Sequence, residues 1–436
     1  MGSFAKRITS LILTFVILLA VMPRAVSAAE FEKAAARAAL LVDIDTGTVL
    51  YEQSAHDLLP PASTTKIMTA LLVLEAIDRG EFSLDTQVKA ARNLAESMKY
   101  DASHVSPRVR KNEILTVEQY LYCILVESDC ACCNILAAKT AGSMEAFVEL
   151  MNERAKELGC KDTVFVNSHG YPQEGHITTA YDLYLIAQEA LKNETFRKII
   201  STSVYKIPRT NEVKRERTLY NTNWLIGMPP ESEQKMKYER DFKYEYCIGG
   251  KTGTSDEAGS CLVSFAQKDG RTLCCVILGS WGVKTDDGAM RRQSFTETER
   301  LFEWGFESFG YRELVRAGET VGSVKIAGAA AEAQLAAVSD STVFLALDAE
   351  IEKKIVVDDG IKAPVSAGDA VGMLHILADD AVVAQVALVA AEDIPETVTV
   401  IDIIVDMELE IALNAAVLTA AALMAIVSKG RAAGKR

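Results

Sequence analysis

The sequence predicts an α/β domain in which an antiparallel sheet lies against a helical cluster, followed by a small all-β domain. Three observations lead there. Short strands are read at 38–51 and return between 204 and 281, and the stretch between is dominated by helical spacing. Strands at both ends with helices between imply one sheet whose first strands pair with its last. Beyond Gly310 the pattern changes again, to short alternating strands and turns, and 436 residues exceed one ordinary domain.

Residues 1–28 have the layout of a signal peptide. Lys6 and Arg7 give the positive start, Ile8 to Met22 the apolar run, and Val26-Ser27-Ala28 the small-residue cleavage site, so an exported protein is expected to begin near Ala29. A retained anchor is the alternative, although Pro23 and Arg24 end the run early. Ala38 to Tyr51 reads as two short strands joined at Asp45-Thr46-Gly47. Pro60 and Pro61 keep the next segment extended, and Ile67, Leu71, Leu74 and Ile77 predict a helix starting at about Ser63.

Further helices are predicted over Glu113–Glu127 with Thr116 as N-cap, from Cys130 to Thr140, over Met144–Leu158 ending at Gly159, and over Thr179–Leu191. Asn167 to His176 reads as a polar loop. Strands follow at Val204–Pro208, Cys247–Lys251, Ser260–Gln267 and Thr272–Trp281, and a helix over Thr296–Phe309 closes the domain. The β domain is assigned to 310–398 and a linker to 399–410. Ile411 to Val427 carries no charge and precedes Lys429, Arg431, Lys435 and Arg436, which predicts a C-terminal membrane anchor over 411–428 and a basic cytoplasmic tail, with an interfacial helix as the alternative.

The net charge of −14 and the lack of a basic stretch interleaved with aromatics exclude a nucleic-acid binder. The acid is concentrated: Gly310 to Glu408 holds 18 acidic against 6 basic residues, which reads as a solubilising surface. Nine cysteines are many for an exported chain, but no two C-x-x-C pairs occur, so no zinc site or other cofactor is expected. Cys130, Cys132 and Cys133 read as small buried hydrophobes at a helix start.

Three groups of residues carry chemistry. Ser63 and Lys66 lie three apart on one helical face, so the amine reaches the hydroxyl. A serine hydroxyl is a poor nucleophile until a neighbouring base takes its proton, and a desolvated lysine can be that base. Backbone N–H groups at the helix start can hold an oxyanion. A second Ser-x-x-Lys, Ser203 to Lys206, alternates into Pro208 and reads as strand surface. Ser128, between two helices, offers a hydroxyl placed to pass a proton between Lys66 and a leaving amine. Lys251, with Thr252 or Thr254, can hold a terminal carboxylate, and Gly253 lets a substrate backbone approach. His169 and His176 read as structural, since a Ser-Lys arrangement needs no imidazole.

S-x-x-K, a middle motif starting with Ser, and K-T-G in that order resemble the penicillin-recognising serine enzymes. P-A-S-T-T-K-I-M-T-A at 61–70, L-T-V-E-Q-Y-L-Y-C-I-L-V-E-S at 115–128 and G-G-K-T-G-T-S-D-E-A-G-S-C-L at 249–262 resemble the serine D-alanyl-D-alanine carboxypeptidases. So do N-S-H-G-Y at 167–171, I-T-T-A-Y-D-L at 177–183 and Y-N-T-N-W-L at 220–225, while I-K-A-P-V-S-A-G at 361–368 and L-V-A-A-E-D-I at 388–394 are similar to that family's C-terminal β domain.

The resemblance implies the β-lactamase-like transpeptidase fold and removal of the terminal D-Ala from peptidoglycan stem peptides, with β-lactams as inhibitors and no metal. It implies that Ser63 attacks, aided by Lys66, that Ser128 delivers a proton to D-Ala, that Lys251 binds the carboxylate, and that the Ser63 and Thr254 N–H groups form the oxyanion hole. Cys130 departs from the family's usual Asn; a thiol is the weaker hydrogen-bonding group, and Asn134 is a candidate to take over the role. A class A β-lactamase, a DD-endopeptidase and a wall-binding protein with an impaired site are the competing readings.

Overall fold

The computed structural model describes residues 31–227, 242–284, 290–291, 293–397 and 400–433. The expected signal peptide at 1–28 lies outside the described residues. Two compact units separate at Gly310/Tyr311.

The first unit is built on a five-stranded antiparallel sheet. Strands β1 (Ala38–Asp43) and β2 (Val49–Gln53) form a hairpin; β3 (Gln87–Lys89) pairs with β4 (Ile114–Thr116), and β5 (Val204–Ile207) with β6 (Arg217–Tyr220), as small ladders; β7 (Cys247–Ser255), β8 (Gly259–Lys268) and β9 (Arg271–Ser280) complete the main sheet in the order β2-β1-β9-β8-β7. The two-residue strands β10 (Val283–Lys284) and β11 (Met290–Arg291) form one further ladder. First and last strands do pair: β1 runs beside β9 from Ala38↔Leu278 to Asp43↔Leu273. The hairpin turn is held by Asp43, whose Oδ1 accepts from the Thr46 N–H at 3.0 Å and its hydroxyl at 2.9 Å, with Gly47 at φ +71°.

The helices are α1 (Lys66–Asp78), α2 (Arg92–Ala95), α3 (Val117–Leu125), α4 (Cys130–Ala141), α5 (Met144–Glu157), α6 (Ala180–Leu191), α7 (Glu194–Ile200) and α8 (Gln293–Ser308). The main core lies between the sheet and the cluster around α1, and Leu40, Val42, Val276 and Leu278 enter it. Alternation turns their neighbours to the other face, where Gly305 of α8 sits against Leu41 and Leu273. Both faces are therefore covered, which is why β1 is buried at every residue.

Several boundaries differ from the sequence reading. The segment starting at Glu113 is not helical until Val117: Glu113 is buried against Arg217 at 3.1 Å and 114–116 is strand, so a tertiary ion pair overrides the helical spacing. Thr116 is the N-cap as expected, in a capping box with Gln119. The strand expected to stop at Lys251 continues to Ser255, because β8 pairs with it through Ser255↔Gly259. Ser203-Lys206 is strand surface, with Lys206 paired to Glu216 at 2.9 Å.

The second unit contains β12 (Phe309–Val315), which begins at the boundary and pairs with β15 (Ser341–Ala346), and a five-stranded antiparallel sheet of β13 (Thr320–Val324), β14 (Ala333–Ala337), β16 (Ile351–Val357), β17 (Ala370–Ala378) and β18 (Ala381–Ala390) in the order β13-β14-β18-β17-β16. Helix α9 spans Val400–Ala433, so the expected 399–410 linker is largely helical. Among the described residues no helix is long and apolar enough to cross a membrane. Most side chains of the second half of the expected 411–428 anchor lie outside the described residues.

Candidate active site

Ser63 does not open the α-helix. It lies in a 3-10 turn, Ala62–Thr65, entered through Ala62 at φ +47°, and α1 proper begins at Lys66. The tighter turn improves the geometry, since residues i and i+3 eclipse in a 3-10 helix and Lys66 lies directly under Ser63. The Lys66 Nζ to Ser63 Oγ distance is 2.8 Å. Two buried threonines hold the turn: the Thr64 hydroxyl donates to the Pro61 carbonyl at 2.7 Å and the Thr65 hydroxyl to the Ala62 carbonyl at 2.8 Å.

Lys66 is fully buried, and its Nζ also donates to the His169 carbonyl at 2.6 Å and to the Cys130 sulfur at 3.4 Å. The buried amine therefore has three hydrogen-bonding partners, Ser63 Oγ, the His169 carbonyl and the Cys130 sulfur, as a polar group taken out of water requires. The carbonyl comes from the Asn167–Gly170 loop, which α1 grips twice, since the Thr69 hydroxyl donates to the Ser168 carbonyl at 2.5 Å. Gly170 is obligatory there: at φ +76°, an added Cβ would stand 1.8 Å from the Ala62 oxygen. The sequence marks this loop as polar and glycine-containing but cannot reveal that a backbone oxygen is its contribution.

Ser128 sits at the break between α3 and α4 in the left-handed region, φ +66°. Asp129 is the N-cap of α4: its Oδ1 accepts from Cys132 N–H at 2.8 Å and its Oδ2 from Val105 N–H at 2.8 Å. The turn is thus fixed on two sides, with the next residue, Cys130, aimed at Lys66. Among the described residues the Ser128 hydroxyl makes no hydrogen bond to Ser63 or Lys66. Asn134 does not take over from Cys130. Its amide donates to Ser97 at 3.0 Å and its oxygen accepts from Ser168 at 2.8 Å, so it supports the loop rather than Lys66.

Strand β7 forms the opposite wall. Lys251 is 1 % exposed and its Nζ donates to the Thr252 carbonyl at 2.8 Å. Burial first, and then the Lys66 charge, push its pKa well below the usual lysine range. An arriving carboxylate would push it back up. The Thr252 hydroxyl donates to Thr222 at 2.6 Å, so Thr222 of the 220–225 segment meets β7 at the site, whereas Trp224 is core. A Cβ on Gly253 would lie 2.9 Å from the Ser63 nitrogen, so only glycine leaves that N–H open to a ligand. Thr254, the other expected oxyanion donor, is the next residue on the strand and pairs with Ser260.

The histidines support the site from behind. His176 Nε2 is 2.8 Å from the Thr65 hydroxyl, and its Nδ1 accepts from Val166 N–H at 3.0 Å. Burial and the Lys66 charge push His176 down to about 4 and His169 to about 3, so both stay neutral at physiological pH. Among the described residues no cluster of His, Cys, Asp and Glu could hold a metal ion.

The contact between Cys130 and Lys66 gives a direct test of the one departure from the usual motif. A carboxamide in place of the thiol would accept from Lys66 more strongly and would also present an N–H to a ligand. Cys130→Asn is expected to change the rate of acylation by a penicillin by less than about tenfold, since one neutral hydrogen bond is worth about 1 kcal/mol. A gain of several orders of magnitude would show that the natural site is impaired.

Residues 24–282 match the sequence model of a family described as D-alanyl-D-alanine carboxypeptidase, and residues 309–396 that of the penicillin-binding protein 5 C-terminal domain. The chain is 30% identical over 397 residues to the D-alanyl-D-alanine carboxypeptidase DacF of Bacillus subtilis, covering 89% of this chain and 94% of that one. Among solved structures it resembles the peptidoglycan synthesis regulatory factor PBP3 from Streptococcus pneumoniae (25% identity, TM-score 0.58, covering 83% of this chain and all of that one). It also resembles the Streptomyces K15 DD-transpeptidase (28% identity, TM-score 0.55, 64% of this chain and all of that one).

Proposed function

The chain belongs to the serine D-alanyl-D-alanine carboxypeptidase family, and from that premise we propose which of its residues carry the reaction. The substrate is a peptide ending in D-Ala-D-Ala, and penicillins bind at the same place. Ser63 Oγ attacks the carbonyl of the penultimate D-Ala while Lys66 takes its proton. The oxyanion formed is held by the N–H groups of Ser63, which Gly253 leaves open, and Thr254. Ser128 hands the proton to the nitrogen of the departing D-Ala, whose carboxylate is held by Lys251 with Thr252. Water then hydrolyses the acyl-Ser63 ester, with Lys66 again as base. Cys130 and the His169 carbonyl keep the Lys66 amine aimed at Ser63.

The observation that supports this reading most directly is the 2.8 Å contact between Lys66 Nζ and Ser63 Oγ inside a buried, fully bonded setting. Release of D-Ala from an acylated peptide ending in D-Ala-D-Ala tests it. The same assay separates the alternatives. Rapid penicillin turnover would favour a β-lactamase, cleavage of cross-linked dimers an endopeptidase, and no reaction by the folded protein a wall-binding role.

The place of action is the outer face of the cytoplasmic membrane, reached by export and held by the 411–428 segment. The support is the uncharged run from Ile411 to Val427 and the basic residues behind it. The full chain is expected to sediment with vesicles that a chain ending at Glu408 leaves behind. Equal recovery of both in the supernatant would remove the anchor.

A further inference from the structure

A groove of about 540 Å³ opens beside the Ser128–Cys130 turn, with Asp129 and Ala131, the two neighbours of Cys130, in its wall. Its other wall is the 95–111 segment, which contributes Lys99, Arg108, Arg110 and Lys111. In a chain of net charge −14, residues 99–111 carry these four cations against the single carboxylate of Asp101. Three of the four stand together in the sequence as R-V-R-K at 108–111, and the fold brings Lys99 round to the same cavity.

The charges are not used up internally. Among the described residues none of the four cations forms an ion pair with a carboxylate. Arg108 instead donates to the Tyr100 carbonyl at 2.5 Å, and Lys99 lies over the Tyr171 ring at 5.5 Å. Of the acids in the wall, Asp129 already accepts from two backbone N–H groups and Glu96 is paired with Arg92 at 3.2 Å. Glu212 is the remaining wall carboxylate.

The groove is tied to the reacting centre at two points. Cys130 N–H donates to the Ser103 carbonyl at 3.0 Å, and the Tyr171 hydroxyl, on the loop that supplies the Lys66 acceptor, donates to Asp101 at 3.0 Å. An extended peptide advances about 3.4 Å per residue, so side chains two or three residues before a scissile bond at Ser63 lie within about 10 Å of it. Resting on the carboxypeptidase reading, we propose that this groove is an anion subsite that takes carboxylates carried by the substrate peptide upstream of its D-Ala-D-Ala end. Exposed cations facing a flexible carboxylate act mainly through KM and weaken with salt, because screening falls within about 10 Å at 0.1 M.

The test compares two peptides of equal length ending in D-Ala-D-Ala, one with free carboxylates at the two residues upstream and one with both amidated. The free form is expected to be favoured about tenfold in kcat/KM at low salt, chiefly through KM, with the preference shrinking as salt rises. In Arg110→Gln/Lys111→Gln the preference should fall severalfold. Stoichiometric acylation of that variant by a penicillin shows that it is folded, and Lys99→Gln supplies a second, independent charge removal. Equal rates for the two peptides with the unmutated protein, or a preference that survives both variants, would overturn the subsite. Release of D-Ala from neither peptide would overturn the carboxypeptidase reading and the subsite with it.

Discussion

Ser63→Ala is expected to abolish D-Ala release, with a loss of at least about 10⁴-fold in kcat, the scale seen when a serine nucleophile is deleted from a group that acts as a unit. It should also end covalent labelling by penicillin, because both reactions need the ester oxygen. The substitution is structurally mild. Ser63 is held in its 3-10 turn by backbone geometry and by the hydroxyls of Thr64 and Thr65, not by its own side chain. Removing Oγ leaves Lys66 with its bonds to His169 and Cys130, so the variant should fold and still bind substrate. D-Ala release by Ser63→Ala above about one per cent of the starting rate would remove Ser63 as the nucleophile. Retained labelling, with the adduct mapped to another residue, would do the same.

Lys66→Gln should cost nearly as much, about 10³- to 10⁴-fold in acylation, because the hydroxyl would lose its proton acceptor while the rest of the site stays in place. Glutamine is the informative replacement. It fills much of the lysine's space and can still donate to the His169 carbonyl, whereas alanine would leave that buried acceptor unpaired as well as opening a void. The two losses should not add. Ser63→Ala/Lys66→Gln is expected to be no slower than Ser63→Ala alone, since a base with no nucleophile to deprotonate contributes nothing. Additive losses, measured as residual D-Ala release by the single and double variants, would mean that Lys66 acts elsewhere. A loss smaller than tenfold in the single variant would shift the base to another group. Lys251 is the next candidate, because burial alone already pushes its pKa down.

What the sequence determined by itself is what can be read locally along a chain: the apolar runs of β1, β8 and β9, the spacing of α1, the cap at Thr116, and the order of three short motifs. Those features follow from local side-chain periodicity and hydrogen-bonding chemistry, and they carried both the α/β architecture and the family resemblance. The tertiary structure decided the rest, wherever an interaction joins residues far apart in the chain. Glu113 belongs to no helix because Arg217, 104 residues away, holds it. β7 runs on past Lys251 because β8 supplies backbone partners, and that extension carries Gly253 against the nitrogen of Ser63. Asn134, a reasonable substitute for the missing asparagine by its position in the motif, is claimed instead by Ser97 and Ser168. The acceptor that completes Lys66 is a main-chain oxygen, which every residue possesses. Only the path of the chain could give that one oxygen, at His169, its place in the site.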